Sequence, residues 1–292
     1  MKTRTAHEKK LFRRGVLINL AALALSLYIL APIIWLFISS ISTKVELLSI
    51  PIHWIPQNPT LDNYRKLLGI LDESIQGEIP KFASAMRNSL IVALVSTTLC
   101  LIISIFSAYA FSRMRFRGRN AGLMIIIALR MLPEIALVLP LFMIMQKLHL
   151  ADTKTYLVIV YSAFLLPFAV WMLKSYFDSV PIALEEAALI DGASRPQIIS
   201  KIIFPIALPG IITTAIFSIL MAWDEFLFSL IFTSSENAKT LTVTISEFTS
   251  RHLVDYGMMT AGGMIAALPP IIFTLILQKY IISGLADGAV KG

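Results

Sequence analysis

The stretch NSLIVALVSTTLCLIISIFSAYAFSRMRFRGRN, Asn88 to Asn120, carries no charge as far as Ser112 and then places four arginines at 113, 115, 117 and 119. About 20 apolar residues suffice for a helix to cross a bilayer. The run is too long and too continuously apolar for a barrel strand, which alternates over a short segment. Short arginine-rich loops stay on the cytoplasmic side. The stretch therefore reads as a spanning helix that starts outside and ends inside.

Five further segments fit the same description, giving spans near 16–41, 88–112, 121–146, 156–174, 203–232 and 257–280. The fold class expected is all-α: a polytopic membrane protein with six transmembrane helices. Composition agrees, with 57% hydrophobic and 15% charged residues and a mean hydropathy of +0.78. Soluble domains hold about 25% charged residues. The first run is longer than a signal-peptide core and is read as a retained anchor. Its single cysteine, Cys100, lies inside an apolar run, has no metal-ligand spacing and is read as a small apolar residue.

With the N-terminus inside, the inner segments hold 15 lysines and arginines against 9 in the outer ones. Both termini are thus expected in the cytoplasm, with a 1–15 tail at one end and a 285–292 tail at the other. The net charge of +7 then sits beside the spans, where anionic lipid accounts for it; nucleic acid is not an expected partner. Outer loops are expected at 43–87, as a small ordered cap, and at 233–256. No internal repeat appears.

Between spans four and five lies EEAALIDGASRPQIISKIIFP, Glu185 to Pro205. Ser179 is expected to cap a short helix with Pro181 in its first turn, and Gly192 to end it. Ser194 and Gln197 form an S-x-x-Q capping box that starts a second helix, with Pro196 in its first turn. Ala187, Ala188, Leu189 and Ile190 cover much of the first helix, leaving Glu185, Glu186 and Asp191 as an acidic edge. Two short helices and a fixed elbow result. Such an elbow can rest its apolar side on lipid headgroups, or fit as a rigid knob into the cleft of a partner.

The pattern Glu186-Ala187-Ala188, Gly192, Ile202, Phe204-Pro205 resembles the EAA loop of ATP-binding cassette importer permeases, with Phe204 where that family usually has leucine. The Asn88 stretch, MLPEIALVLPLFMIMQKLHLADT, AWDEFLFSLIF and ISGLADGAVKG extend the resemblance to the smaller six-span permease of maltose-type sugar importers. The resemblance implies a type I importer permease in a prokaryotic inner membrane. It implies a second permease subunit, forming a heterodimer, two ATPase subunits and an extracytoplasmic solute-binding protein as partners, with a disaccharide or oligosaccharide as the leading substrate class and a polyol or glycerol phosphate as the alternative. It makes the loop at 178–202 a coupling helix, with Glu185, Glu186, Ala187, Ala188, Asp191, Gly192 and Ala193 meeting the ATPase. It also implies that the 234–250 loop, with Asn237, Lys239 and Thr240, meets the binding protein, and that the 284–292 tail approaches the ATPase dimer. ATP and Mg would be used by the partner ATPase and no cofactor would be held by this chain, which would be a transport subunit and not an enzyme.

The residues bear on this independently. No G-x-x-x-x-G-K-[ST] phosphate loop is present; Gly257 and Gly262 have the spacing but no lysine follows. Four charges sit inside expected spans: Arg130, Glu134, Asp224 and Glu225. Each costs about 2.5–3.5 kcal/mol on insertion scales. Arg130 and Glu134, four apart on one helix, are expected to share a face and either brace packing as a pair or line a pathway. Asp224 and Glu225 are adjacent and must face apart. Prolines 133, 140, 167, 205, 209, 269 and 270 are expected to interrupt spans three to six. An ion-coupled secondary carrier is the rival reading, with Glu134, Asp224 or Glu225 as relay; carriers commonly show repeats, and such a reading leaves the capped elbow unexplained. The four histidines, 7, 53, 149 and 252, form no catalytic or metal-binding cluster.

Overall fold

The structure is a computed structural model and describes residues 6–68, 70, 79–249 and 254–289. The described chain is helical, apart from one isolated bridge between Thr249 and Val254. In order come α1 (Ala6–Ser40), α2 (Lys44–Leu47), α3 (Asp62–Leu68), α4 (Ile79–Arg113), α5 (Arg119–Ala128), α6 (Glu134–Lys147) and α7 (Lys154–Ser179). They are followed by α8 (Ile182–Ile190), α9 (Arg195–Ile198), α10 (Phe204–Ile206), α11 (Leu208–Trp223), α12 (Leu227–Phe232), α13 (Leu241–Glu247) and α14 (Tyr256–Ala289). By length and composition, α1, α4, α7 and α14 can each cross a membrane. Two bent pairs bring the number of candidate spans to six.

Those bends fall in spans three and five, among the spans expected to be interrupted by proline. Span three is α5 and α6, meeting at 98°, and the run from α9 through α11 bends by 79°. Pro133 stands just before α6 with extended backbone, and Pro209 sits in the first turn of α11, where a missing N–H costs nothing. Pro140, Pro167, Pro269 and Pro270 do not interrupt anything: they lie inside continuous helices.

The chain forms two compact units. The first comprises Met1–Gln76 with Phe248–Ile265. Here the Asn63 amide donates to the carbonyls of Ser40 and Ser42 at 2.9 and 3.1 Å, tying α3 to the end of α1. A Cβ on Gly257 would lie 2.6 Å from the Asn63 side chain, so that approach requires glycine. Glu46 accepts from the backbone amides of Gln57 and Asn58 at 3.0 and 2.8 Å, which orders the expected outer cap as far as α3. Residues 69 and 71–78 of that loop lie outside the described residues.

The second unit comprises Gly77–Glu247 with Ala266–Gly292. Its core is the α4–α7 pair, with α11 packed on both. On α4 the buried residues Val92, Ser96, Cys100, Ser104 and Ala108 recur every four positions. Small side chains at that spacing let two helix backbones approach closely, which is how helices associate in lipid. The Ser162 hydroxyl of α7 donates to the Ser96 carbonyl at 3.2 Å across this contact. The Cys100 thiol is buried against Ser104, as a small packing residue should be. Gly210 of α11 is equally constrained: a Cβ there would lie 2.3 Å from the Tyr176 ring.

Candidate functional site

The elbow between α7 and α11 is built much as its sequence dictates. Gly192 follows α8 with φ +84°, a left-handed conformation that disfavours any Cβ. Its N–H donates to the Leu189 carbonyl at 3.1 Å, and the Ala193 N–H to the Ala188 carbonyl at 2.9 Å. This pair of bonds is a Schellman stop. The Gln197 side chain then accepts from the Ser194 N–H at 2.8 Å and starts the second helix, with Pro196 in its first turn. One turn later the helix widens to a π segment, Ile199–Ile203.

Two local expectations are corrected. Ser179 does not cap α8; it is the last residue of α7, and its hydroxyl bonds back to the Tyr176 carbonyl at 2.7 Å. Pro181 precedes α8 instead of lying in its first turn.

The larger correction concerns Glu185, which is buried at 6% exposure and does not join an exposed acidic edge. Its carboxylate forms an ion pair with Nε of Arg113, the last residue of α4, and accepts from the Tyr109 hydroxyl at 3.1 Å. The other arm of the Arg113 guanidinium donates to the carbonyls of Phe177 and Val180 at 2.8 and 2.6 Å. One guanidinium thus ties together α4, the end of α7 and α8. Beside it the Asp178 carboxylate accepts from Ser112 and from Lys174, both at 2.6 Å. Ala188 packs into a buried cluster with Leu173, Phe177, Ile198 and Ile203. What α8 presents outward is Glu186 and Ala187, followed by Asp191 at its end, together with Ile190 at 86% exposure and Leu189 at 45%. In sequence, Arg113 is only a charge beside a span. Its position at the end of α4, without an acid nearby in sequence, was the available signal.

The intramembrane charges gather around the helix breaks. Arg130 lies in the turn Leu129–Met131 and Glu134 opens α6 beyond it. They do not share a helix face, because the break falls between them, and no ion pair joins them among the described residues. Arg130 donates instead to the Phe164 carbonyl at 3.4 Å and stands 6.0 Å from the Phe168 ring centroid. Asp224 and Glu225 fall in the break between α11 and α12 and do face apart. Asp224 is exposed, whereas the Glu225 carboxylate accepts from the backbone amides of Phe228 and Ser229 at 2.7 and 3.3 Å, capping α12. Arg130, Glu134 and Glu225 line one cavity of about 280 Å³, walled also by Tyr161, Phe164 and Phe228; Asp224 is not part of it.

On the opposite loop, Asn237 is exposed, but Thr240 is buried with its hydroxyl on that of Ser229 at 2.8 Å. Thr240 therefore holds the loop in place instead of standing exposed on it. Lys239 pairs with Glu247 at 2.6 Å. Asn88, at the start of the quoted stretch, donates to the carbonyls of Glu236 and Lys239, both at 2.9 Å, and accepts from Lys154. Asp152 accepts from the amides of Ser234 and Ser235 at 2.8 and 3.0 Å. Partial burial raises the Asp152 pKa, but these donors outweigh it and hold the carboxyl below its usual range. Among the expected contact segments, Ser250 and residues 290–292 lie outside the described residues, as do Arg251 and His252.

With this geometry in place, comparison with known proteins is specific. Residues 100–287 match the family described as binding-protein-dependent transport system inner membrane component. The trehalose/maltose transport system permease protein MalG of Thermococcus litoralis is 36% identical over 280 residues, covering 96% of this chain and 98% of that protein. The trehalose transport system permease protein SugB of Mycobacterium tuberculosis is 36% identical over 267 residues, covering 91% and 93%. In fold, the chain is similar to a subunit of a bacterial ABC transporter that imports the acidic polysaccharide alginate, with TM-score 0.76 at 23% identity and 96% and 99% coverage. The chain belongs to the binding-protein-dependent transport family and is a multi-pass permease subunit of an ABC importer.

Proposed function

We propose that this chain is one of two permease subunits of an ATP-driven importer of a disaccharide or oligosaccharide, with both termini in the cytoplasm. A solute-binding protein delivers the sugar outside. Two ATPase subunits hold ATP and Mg inside, and one of them grips α8. The observation that carries this reading is the latched elbow: a helix braced from behind by Arg113 and Glu185 and exposing Glu186, Leu189, Ile190 and Asp191. A helix that only lay on headgroups would have no need of a buried guanidinium fixing it to two spans. Nucleotide-driven closure, in contrast, must push on something stiff. The names of the relatives, which include trehalose and maltose permeases, support a sugar as cargo.

The test is uptake of trehalose or maltose by the complete transporter in proteoliposomes with its binding protein. Uptake should require ATP and survive a protonophore. Uptake that proceeds without ATP and collapses with the proton gradient would favour an ion-coupled carrier and defeat the proposal.

A further inference from the structure

We infer that the cavity at the break between α5 and α6 is itself a sugar subsite, one that takes a single ring of a neutral, polyhydroxylated ligand. The inference rests on the sugar-permease reading and adds a contact role for this subunit's own residues. At about 280 Å³, the cavity lies near the lower end of ligand pockets, which begin at about 300 Å³. That suits one ring and not an extended chain.

Its polar groups are arranged for hydroxyls. Among the described residues the Glu134 carboxylate has no ion-pair or hydrogen-bond partner. Arg130 makes one long bond to a carbonyl and keeps its remaining N–H groups. The Tyr161 hydroxyl is buried beside the Glu225 carboxylate and the Ser229 hydroxyl, without full hydrogen-bond geometry to either. Glu225 is fixed by the amides of α12, yet a carboxylate offers about four acceptor sites, so capacity remains. A buried polar group without a partner is costly, and charged groups persist inside a membrane where they face a path for a polar cargo. Alternating donors and acceptors of this kind match vicinal hydroxyls. Phe164 and Phe228, with ring centroids 4.6 Å apart, add an apolar wall for the C–H face of a ring.

The charges also set the class of ligand. One guanidinium faces two carboxylates, which leaves an excess of negative charge. In a partly desolvated cavity this repels carboxylated or phosphorylated sugars and leaves neutral ones unopposed.

The complete transporter in proteoliposomes, with its binding protein, gives the test, using trehalose and maltose as probes. Tyr161→Phe and Glu134→Gln should each lower the initial uptake rate at least tenfold, while ATP hydrolysis stimulated by the loaded binding protein stays within twofold of the unaltered complex. Preserved hydrolysis shows that the variants fold and assemble. Uptake within twofold in both variants would overturn the subsite and leave the importer reading intact. Uptake by the unaltered complex that collapses under a protonophore at constant ATP would favour an ion-coupled carrier and overturn both.

Discussion

At the inner elbow, Arg113 and Glu185 are sequestered together, and the guanidinium also holds two helix-end carbonyls. At the break between α5 and α6, Arg130 and Glu134 are exposed to the cavity and unpaired with each other. Both regions place arginine and glutamate near the end of a helix, but they use them differently. The first pair is satisfied from within the chain and makes a joint. The second makes no internal ion pair among the described residues, which leaves it capacity for a ligand. Saturation of hydrogen-bonding capacity, more than the presence of charge, separates the proposed joint from the proposed subsite.

The comparison can be broken at the joint first. Arg113→Ala leaves the Glu185 carboxylate buried without its cation, which costs about 3–5 kcal/mol. The variant should lose assembled complex on size exclusion and melt well below the unaltered complex. Replacing both members by leucine should restore much of that stability but not the coupling ratio of ATP to sugar. Arg130→Ala, which breaks no internal ion pair, should leave melting almost unchanged. Equal destabilisation by the two substitutions would erase the distinction.

A smaller loss, about 1–3 kcal/mol, is expected for Gly210→Ala, since its Cβ must displace the Tyr176 ring; thermal melting measures it. Gly192→Val should cost about 1–2 kcal/mol, because φ is +84° there and the space around it is open. Its main effect should be functional: membrane insertion intact, with stimulated ATP hydrolysis and uptake reduced. Gly192→Asn, which tolerates the left-handed region, should be milder. The smallest effect concerns the outer loop. Asp152 has a lowered pKa when folded, so its contribution is present above the unfolded value of about 3.9 and is lost as pH falls through the folded value. Hydrogen-exchange protection of the Ser234 and Ser235 amides should hold at about pH 5 and fade only in stronger acid.

Much of the elbow was legible because local chemistry fixes it: glycine at a left-handed turn and an S-x-x-Q pair need only their immediate neighbours. The apolar runs were legible for the same reason, since lipid permits little except helix. The orientation of Glu185 was not. Helical spacing puts Glu185 and Glu186 on adjacent faces, but which face is buried depends on Arg113, 72 residues earlier. The helix breaks were misplaced because a proline in a span has two outcomes. At Pro140 and Pro167 the helix continues through the proline, as spanning helices tolerate; at Pro133 the extended backbone ends it. The cavity required several separate helices to converge, and no single segment announces that.

Cross-linking from position 190 tests the central claim most directly. Ile190 is 86% exposed at the tip of α8, and the one native cysteine is buried, so Ile190→Cys gives a nearly unique reactive site. In the assembled transporter a short bifunctional reagent should join it to an ATPase subunit, and a membrane-impermeant thiol reagent added outside should not reach it. Labelling of position 190 from the exterior, with no ATPase adduct, would contradict the account.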